Sequence, residues 1–254
     1  MQERSTPWLE RLTHEAGELA MTYYRGSYEI FTKDNDTPVT TADLEVDRFL
    51  QGRIRAEHPG DCILSEETTD DPDRLHAQRV WIIDPIDGTA LFIAKKDTFA
   101  ILIGLCVDGD PVESCGHLPA VAMTMYSKKN DGCYLNGERV GVSQRGMSEA
   151  RISCWGEKFV ALNTVPVKMR ESNLALIELA RGELDGCVFH IDGCAGEHDF
   201  VCAAASIRDA GGKVTDLDGH PLRFNKPVRS TPEVLVCSNG VIHDALLERT
   251  RAVW

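Results

Sequence analysis

Two carboxylates three positions apart, Asp84 and Asp87, follow the apolar run Trp81-Ile82-Ile83 and lead directly into Gly88-Thr89. Pro85 stiffens the chain between them. Acidic side chains at a strand end suit a divalent cation. A glycine beside them lets backbone N–H groups come close to an anion, and a short helix starting near Ala90 would aim its positive end at the same place. The chemistry this stretch can support is metal-assisted handling of a phosphate.

Two further places share the pattern of an apolar run ending in an acid: Leu64-Ser65-Glu66-Glu67, and Asp199 at the opening of a helix. If the three converge, Glu66, Asp84, Asp87 and Asp199 put four carboxylates in one pocket. Like charges that close destabilise one another unless cations lie between them. Hard oxygen donors of this kind suit Mg²⁺ or Mn²⁺. Each acid also has a plainer reading. Asp199 can be a helix N-cap, Asp43 can complete a capping box with Thr40, and Glu66-Glu67 can be a solvated turn. The Asp84–Asp87 pair has few structural uses.

The elements that must position these acids can be read from periodicity. Trp8, Leu9, Leu12, Ala16, Leu19, Ala20 and Tyr23 recur at helical spacing and predict a helix over residues 6–24. Residues 26–39 read as a strand or ribbon with a polar turn. A second helix follows, N-capped by Thr40, with Ala42, Val46, Phe49, Leu50 and Ile54 as its apolar stripe, ending at His58-Pro59-Gly60. Residues 62–65 predict a short buried strand, and the acidic stretch 68–79 a mobile surface loop. Residues 99–107 are nearly all apolar, as in a central strand. Further strands reach about residue 143, with turns at Asp108-Gly109 and Asn136-Gly137. The second half predicts a strand near 150, a helix over 173–181 and a strand over 186–191. A small-residue helix over 200–210 stops at Gly211-Gly212. Strands follow from Lys213 and over 234–237, then a final helix over 240–250 capped by Asn239. Strands and helices mix without the strict alternation of a doubly wound sheet, and no internal repeat is evident.

At 254 residues the chain is long enough for one domain or two closely packed lobes. Hydrophobic residues at 43% and charged residues at 26% are ordinary for a globular protein. A net charge of −13 argues against nucleic acid as a partner, which needs a basic face. It leaves room for a small anion, because bound cations can invert the field of an acidic pocket. No run reaches the ~18 apolar residues of a membrane span, and the N-terminus lacks a signal-peptide core, so a cytoplasmic location is expected. Nine cysteines, an odd number without a Cys-x-x-Cys pair, read as reduced, buried small hydrophobes.

Taken together, Ser65-Glu66-Glu67, Trp81 to Thr89, Asp199 with Ala203-Ala204, and Gly211-Gly212 resemble the inositol monophosphatase family of lithium-sensitive, magnesium-dependent phosphatases. Pro38-Val39-Thr40-Thr41-Ala42-Asp43 and the ending Ser238-Asn239-Gly240-Val241-Ile242-His243 fit the same family, so the resemblance spans nearly the whole chain. It implies an α+β fold, the alternating αβαβα layered sandwich of the inositol monophosphatase and fructose-1,6-bisphosphatase type. It also implies a single domain over residues 1–254. Its sub-lobes would be about 1–145, with the metal and phosphate motifs, and 146–254, with the last metal ligand and the leaving-group contacts.

The resemblance further implies site roles. Glu66, Asp84 and the main-chain carbonyl of Ile86 would hold a first Mg²⁺, and Asp84, Asp87 and Asp199 a second. A third, weaker Mg²⁺ would lie near Glu66, giving two to three ions per site. Asp87, Gly88 and Thr89 would border the phosphate, and Asp43, Glu67 and Thr89 would orient or deprotonate the attacking water. Many members are dimers, so a homodimer acting on a small phosphorylated metabolite is expected, with no nucleic acid or membrane partner. Two positions depart from the family: Leu91 replaces a polar residue, and His198 a tryptophan. Both fall on the leaving-group side. Leu91, Asp192 and His198 are therefore candidate substrate contacts, with Glu178 and Asp185 further candidates. The resemblance implies an inositol monophosphate-like ester as substrate, hydrolysed by metal-activated water, with histidinol phosphate, 3′-phosphoadenosine 5′-phosphate or the ester of a specialised pathway as family alternatives. A catalytically silent anion-binding member and an unrelated metal-dependent nuclease are the readings from other classes.

Overall fold

The acidic strand ends are positioned by strands whose two faces are both covered. In the computed structural model, which describes residues 6–33, 36–164, 172–191, 195–227 and 232–254, β3 (Cys62–Ser65), β4 (Arg79–Asp87) and β5 (Ala100–Val107) lie side by side. They continue through β6 (Asp110–Leu118), β7 (Met123–Lys128), β8 (Gly132–Leu135) and β9 (Glu138–Val140) as a seven-stranded sheet in sequence order. β3 and β4 are parallel and the other pairs antiparallel. Trp81 and Ile83 of β4 face one core, while Val80 and Ile82 face another. Burial on both sides is why the run reads as continuously apolar.

α1 (Trp8–Arg25) and α2 (Thr41–Glu57) cover the first face. Leu9, Leu12, Ala16 and Ala20 of α1 and Ala42, Val46, Leu50 and Ile54 of α2 pack against Trp81, Ile83, Ile101 and Ile103. A two-stranded ribbon, β1 (Ile30–Thr32) and β2 (Pro38–Thr40), joins them. α3 (Thr89–Ile93) follows β4 at once. α4 (Ser172–Ala180) and α5 (Glu197–Asp209) cover the second face, through Ile177, Ala180, Val201 and Cys202.

The other side of α4 and α5 packs on a second sheet through Leu179, Phe200, Ala203 and Ile207. That sheet runs β10 (Ile152–Trp155), β11 (Gly186–His190), β13 (Val234–Ser238), β12 (Lys213–Thr215). α6 (His243–Val253) closes its far side through Leu246 and Leu247. The layers are thus helix, sheet, helix, sheet, helix, the expected α+β sandwich. Among the described residues the cysteines are free thiols.

Three expectations need correction. The stretch 68–79 is not a loose loop: Pro72–His76 forms a 3₁₀ turn, and Arg74 within it is fully buried. Its guanidinium makes two bonds to Asp70, at 2.6 and 2.8 Å, and one of 2.7 Å to Asn225 Oδ1. The final helix begins at His243, not 240, because Asn239 Oδ1 caps Ile242 N–H and holds residues 240–242 in a preceding turn. α5 begins at Glu197 with Gly196 as its N-cap, so Asp199 is the third residue of the helix.

Candidate active site

β3 and β4 pair with Ser65 opposite Ile83, and Glu66 N–H extends the ladder by donating to Ile83 O at 3.2 Å. Glu66 therefore leaves the sheet beside Asp84. Ser65 Oγ donates to Asp47 Oδ1 at 2.5 Å and accepts from Glu67 N–H at 3.2 Å, which fixes the turn carrying both glutamates. Past Asp84 the register with β5 shifts before Asp87. This bulge falls on Pro85-Ile86 and re-aims the strand end, as bulges beside functional sites do. Ile86 is buried in the first core.

Gly88, at φ +82°, then turns the chain into α3 in a conformation that favours glycine. Thr89 is the first helical residue, and its hydroxyl reaches Asp43 Oδ1 at 2.9 Å and Ile86 O at 3.2 Å. Asp43 Oδ2 accepts from Thr40 N–H at 2.8 Å and Thr40 Oγ1 at 2.5 Å, completing the capping box of α2. The capping and catalytic readings of Asp43 thus describe the same carboxylate. On α5, Asp199 Oδ2 accepts from Gly196 N–H at 2.6 Å.

The three acidic points converge. Asp84, Asp87 and Asp199 each bring an oxygen within 4.8 Å of the others, and Glu66, Asp84 and His198 form a second such group. Asp84 is 1% exposed, and neither of its carboxylate oxygens meets a hydrogen-bond partner. Burial, then the charges of Glu66, Asp87 and Asp199, hold its pKa well above the ordinary carboxylate range. Asp199 is raised likewise by burial and by Asp87. A buried, unpartnered carboxylate among other acids is the environment a divalent cation relieves, and the oxygen-rich donor set fits one.

Lys33, in a stretch that reads from sequence as a polar turn, supplies a cation at this place. Its Nζ donates to Glu66 Oε1 at 2.7 Å and Glu67 Oε1 at 2.8 Å. Burial pulls the lysine down, but these two bonds more than reverse that and its pKa is raised. Burial raises Glu66 too, yet the charges of His198 and Lys33 bring it below its usual value. Glu67 is pushed up to about 7 by burial and by neighbouring Glu66 and Asp43, against the pull of Lys33. Burial also raises Asp43, against the bonds from Thr40 and Thr89.

A cavity of about 320 Å³ opens beside Asp87 and Asp199, lined also by Trp155, Asn173, Phe189 and His190. Asn173 Nδ2 donates to Asp87 Oδ2. Trp155 and Phe189 stack with centroids 4.6 Å apart and planes 15° from parallel. Asn173, Trp155 and His190 were not singled out from sequence, since nothing in their neighbours marks them. Leu91 is half-buried and lies over Gly88, its Cδ1 2.9 Å from where a Cβ on that glycine would stand. Asp192 lies outside the described residues. Asp185 is fully buried, its carboxylate taken up by Ser143, Arg145 and the N–H of Arg151, so it is not a leaving-group contact. Glu178 helps end α4 by accepting from Glu183 and Leu184 N–H through its carbonyl.

Sequence and structure comparisons agree with this geometry. The model of the inositol monophosphatase family matches residues 1–254. A 3′(2′),5′-bisphosphate nucleotidase, CysQ, of Haemophilus influenzae is 34% identical over 234 residues, covering 85% of each chain. A histidinol-phosphatase of Mycobacterium tuberculosis is 28% identical over 241 residues, covering 88% of each. Among solved structures, the Thermotoga maritima IMPase is similar with a TM-score of 0.77 and 26% identity, over 96% of this chain and 95% of that one.

Proposed function

This chain belongs to the inositol monophosphatase family and is a phosphoric monoester hydrolase, and from that premise we propose that it is a cation-dependent phosphatase of a small phosphorylated metabolite. The observation that carries the reading is Asp84, buried without a hydrogen-bond partner among Glu66, Asp87 and Asp199. Mg²⁺, two to three ions per site, is the proposed cofactor, with Glu66, Asp84, Asp87, Asp199 and the Ile86 carbonyl as its holders. Such ions supply activation of water and neutralisation of phosphoryl oxygens.

The chain's own residues do the rest. Gly88 and Thr89 border the phosphate, with Asp87 beside them. Thr89, held by Asp43, keeps its hydroxyl at a fixed place where it can orient the attacking water. Glu67, with a pKa near neutrality, can accept that water's proton. Lys33 Nζ offers a positive charge beside the same two glutamates. Asn173 fixes one oxygen of Asp87.

The leaving group would occupy the cavity beside Asp87 and Asp199. An inositol monophosphate-like polyol is one reading. A flat-ringed leaving group is favoured by the stacked Trp155–Phe189 pair on its wall. The named activities of the Haemophilus and Mycobacterium relatives, a bisphosphate nucleotidase and a histidinol-phosphatase, support that second reading. Leu91, Asp192 and His198 remain proposed contacts on this side. Homodimer assembly, lithium inhibition and a cytoplasmic location belong to the same proposal and rest on the family resemblance; no helix among the described residues is long and apolar enough to cross a membrane. The division into sub-lobes near residue 145 is proposed with them, supported by the separate sheets on either side.

Phosphate release from a panel of inositol, histidinol and nucleoside phosphates, with and without Mg²⁺, tests the reading. Cation-dependent release from at least one of them is expected. Release that persists in full after chelation would overturn it.

A further inference from the structure

His198 precedes Asp199 on the first turn of α5, and its ring is folded back over the helix start. A Cβ built on Gly196 would lie 2.8 Å from His198 Nδ1 and 3.1 Å from Nε2, so the absence of a side chain at 196 makes room for the ring. From this position Nε2 is 3.3 Å from Asp199 Oδ2 and 4.0 Å from Glu66 Oε2. Glu66, Asp84 and His198 form one of three groups among the described residues whose donor atoms all lie within 4.8 Å of one another. Two donors on one ion, each about 2.1 Å from it, stand no more than about 4.2 Å apart. The Nε2–Glu66 distance falls inside that limit, and an Asp84 oxygen lies within 4.8 Å of the other donors of the group. Asp84, buried with no partner on either oxygen, supplies the independent sign that a ligand belongs here.

We propose that His198 contributes Nε2 as a nitrogen donor to the divalent cation held by Glu66 and Asp84, and that it biases this site toward a transition-metal ion such as Mn²⁺ or Co²⁺ over Mg²⁺. The proposal rests on the cation-dependent reading above. The other donors at this place are hard carboxylate oxygens, which suit Mg²⁺ and Mn²⁺ alike. Imidazole is a softer donor. It gains more from a first-row transition ion than from Mg²⁺, which keeps oxygen and water around it. A single nitrogen among oxygens leaves Mg²⁺ able to bind but removes its advantage. The ring's seat on Gly196 and its place one residue from Asp199 hold the nitrogen in reach without a mobile side chain having to be ordered.

Metal-free protein is loaded with Mn²⁺ and studied by pulsed electron paramagnetic resonance, which detects directly bound imidazole nitrogen without any turnover. Wild type is expected to show that nitrogen coupling, and His198→Phe and His198→Gln to lose it while still binding Mn²⁺. Competition calorimetry should then show the Mn²⁺-over-Mg²⁺ preference reduced at least about tenfold, the lower end of what losing even a hydrogen-bonded supporter of a ligand costs. The two substitutions differ in shape, and circular dichroism checks that each folds. Mn²⁺ bound in an Asp84-dependent way without nitrogen coupling in wild type would overturn the proposal and leave the phosphatase reading standing. Mn²⁺ binding indifferent to Asp84→Asn would overturn both.

Discussion

Thr89 Oγ1 donates to Asp43 Oδ1 across 2.9 Å, while the other oxygen of Asp43 holds the backbone and hydroxyl of Thr40. One buried carboxylate therefore ties the start of α2 to the start of α3. The helix that supports the first core and the turn that borders the phosphate are set in position by the same group.

Thr89→Val, close in shape but without the hydroxyl, is expected to lower kcat by about 100-fold, the low end for loss of a positioned proton-transfer partner. Its stability should fall by only about 1 kcal/mol, the net value of one hydrogen bond. Thr89→Ser should restore most of the rate. Steady-state kinetics and urea unfolding of the three proteins check this; equal rates would remove Thr89 from the mechanism.

Asp84→Asn should abolish the stabilisation that added divalent cations give. It should also make the metal-free protein more stable at neutral pH, by about 2 kcal/mol, because a buried acid without partners is replaced by a neutral amide. Thermal unfolding with and without cations reads both effects. A metal-free variant less stable than wild type would contradict the electrostatic account of the site.

His117 is 8% exposed and stacks on His14, with centroids 4.5 Å apart. Burial, and then the charge of His14, lower its pKa to about 4 from the ordinary 6.5. The unfolded chain therefore binds more protons than the folded one between those values, so stability rises as pH climbs from 4 to 6.5 and is lost as it falls. The size of the effect is up to about 3 kcal/mol. In metal-free protein, His117→Gln should flatten this part of the stability–pH curve. An unchanged slope would assign the dependence to other groups.

Arg74→Met should cost about 1–2 kcal/mol, because half-buried Asp70 and Asn225 lose the hydrogen bonds of the buried guanidinium. Activity per folded molecule should fall as well, since Asn225 and Lys226 N–H also bind the buried carboxylate of Glu197, at 2.5 and 3.0 Å, two residues before Asp199. Chemical denaturation and kinetics at a temperature where the variant is folded separate the two effects. A stable variant with a weakened site would place the role in positioning alone.

The parts of the site legible in the sequence are those in which chemistry is packed into adjacent residues. Asp84, Asp87 and Gly88 sit at the end of an apolar run, and Glu66-Glu67 at the end of another, so strand ends and acids could be read together. The order of layers came from the family resemblance that these motifs carry. Lys33 was not legible, because its partners Glu66 and Glu67 lie 33 and 34 residues away and its own surroundings look like an ordinary turn. Arg74 was missed for the same reason on a larger scale: Asn225 is 151 residues distant, so an acidic, polar stretch gave no hint of a buried guanidinium. The start of α5 was misread because Gly196 caps the helix with its backbone, leaving the acid at 199 to look like the first capping side chain.

The buried guanidinium of Arg74 has a consequence for how substrate enters. It joins the segment after β3 in the first sheet to residues 225 and 226 beside the start of α5, which separates the two sheets. Swinging these two segments apart like a clamshell would leave the guanidinium paired with Asp70 but take away Asn225 and Lys226, at a cost of about 1 kcal/mol per hydrogen bond. Arg74 is thus a latch between the segment after β3 and residues 225 and 226, and any route that hinged them apart would have to break it first.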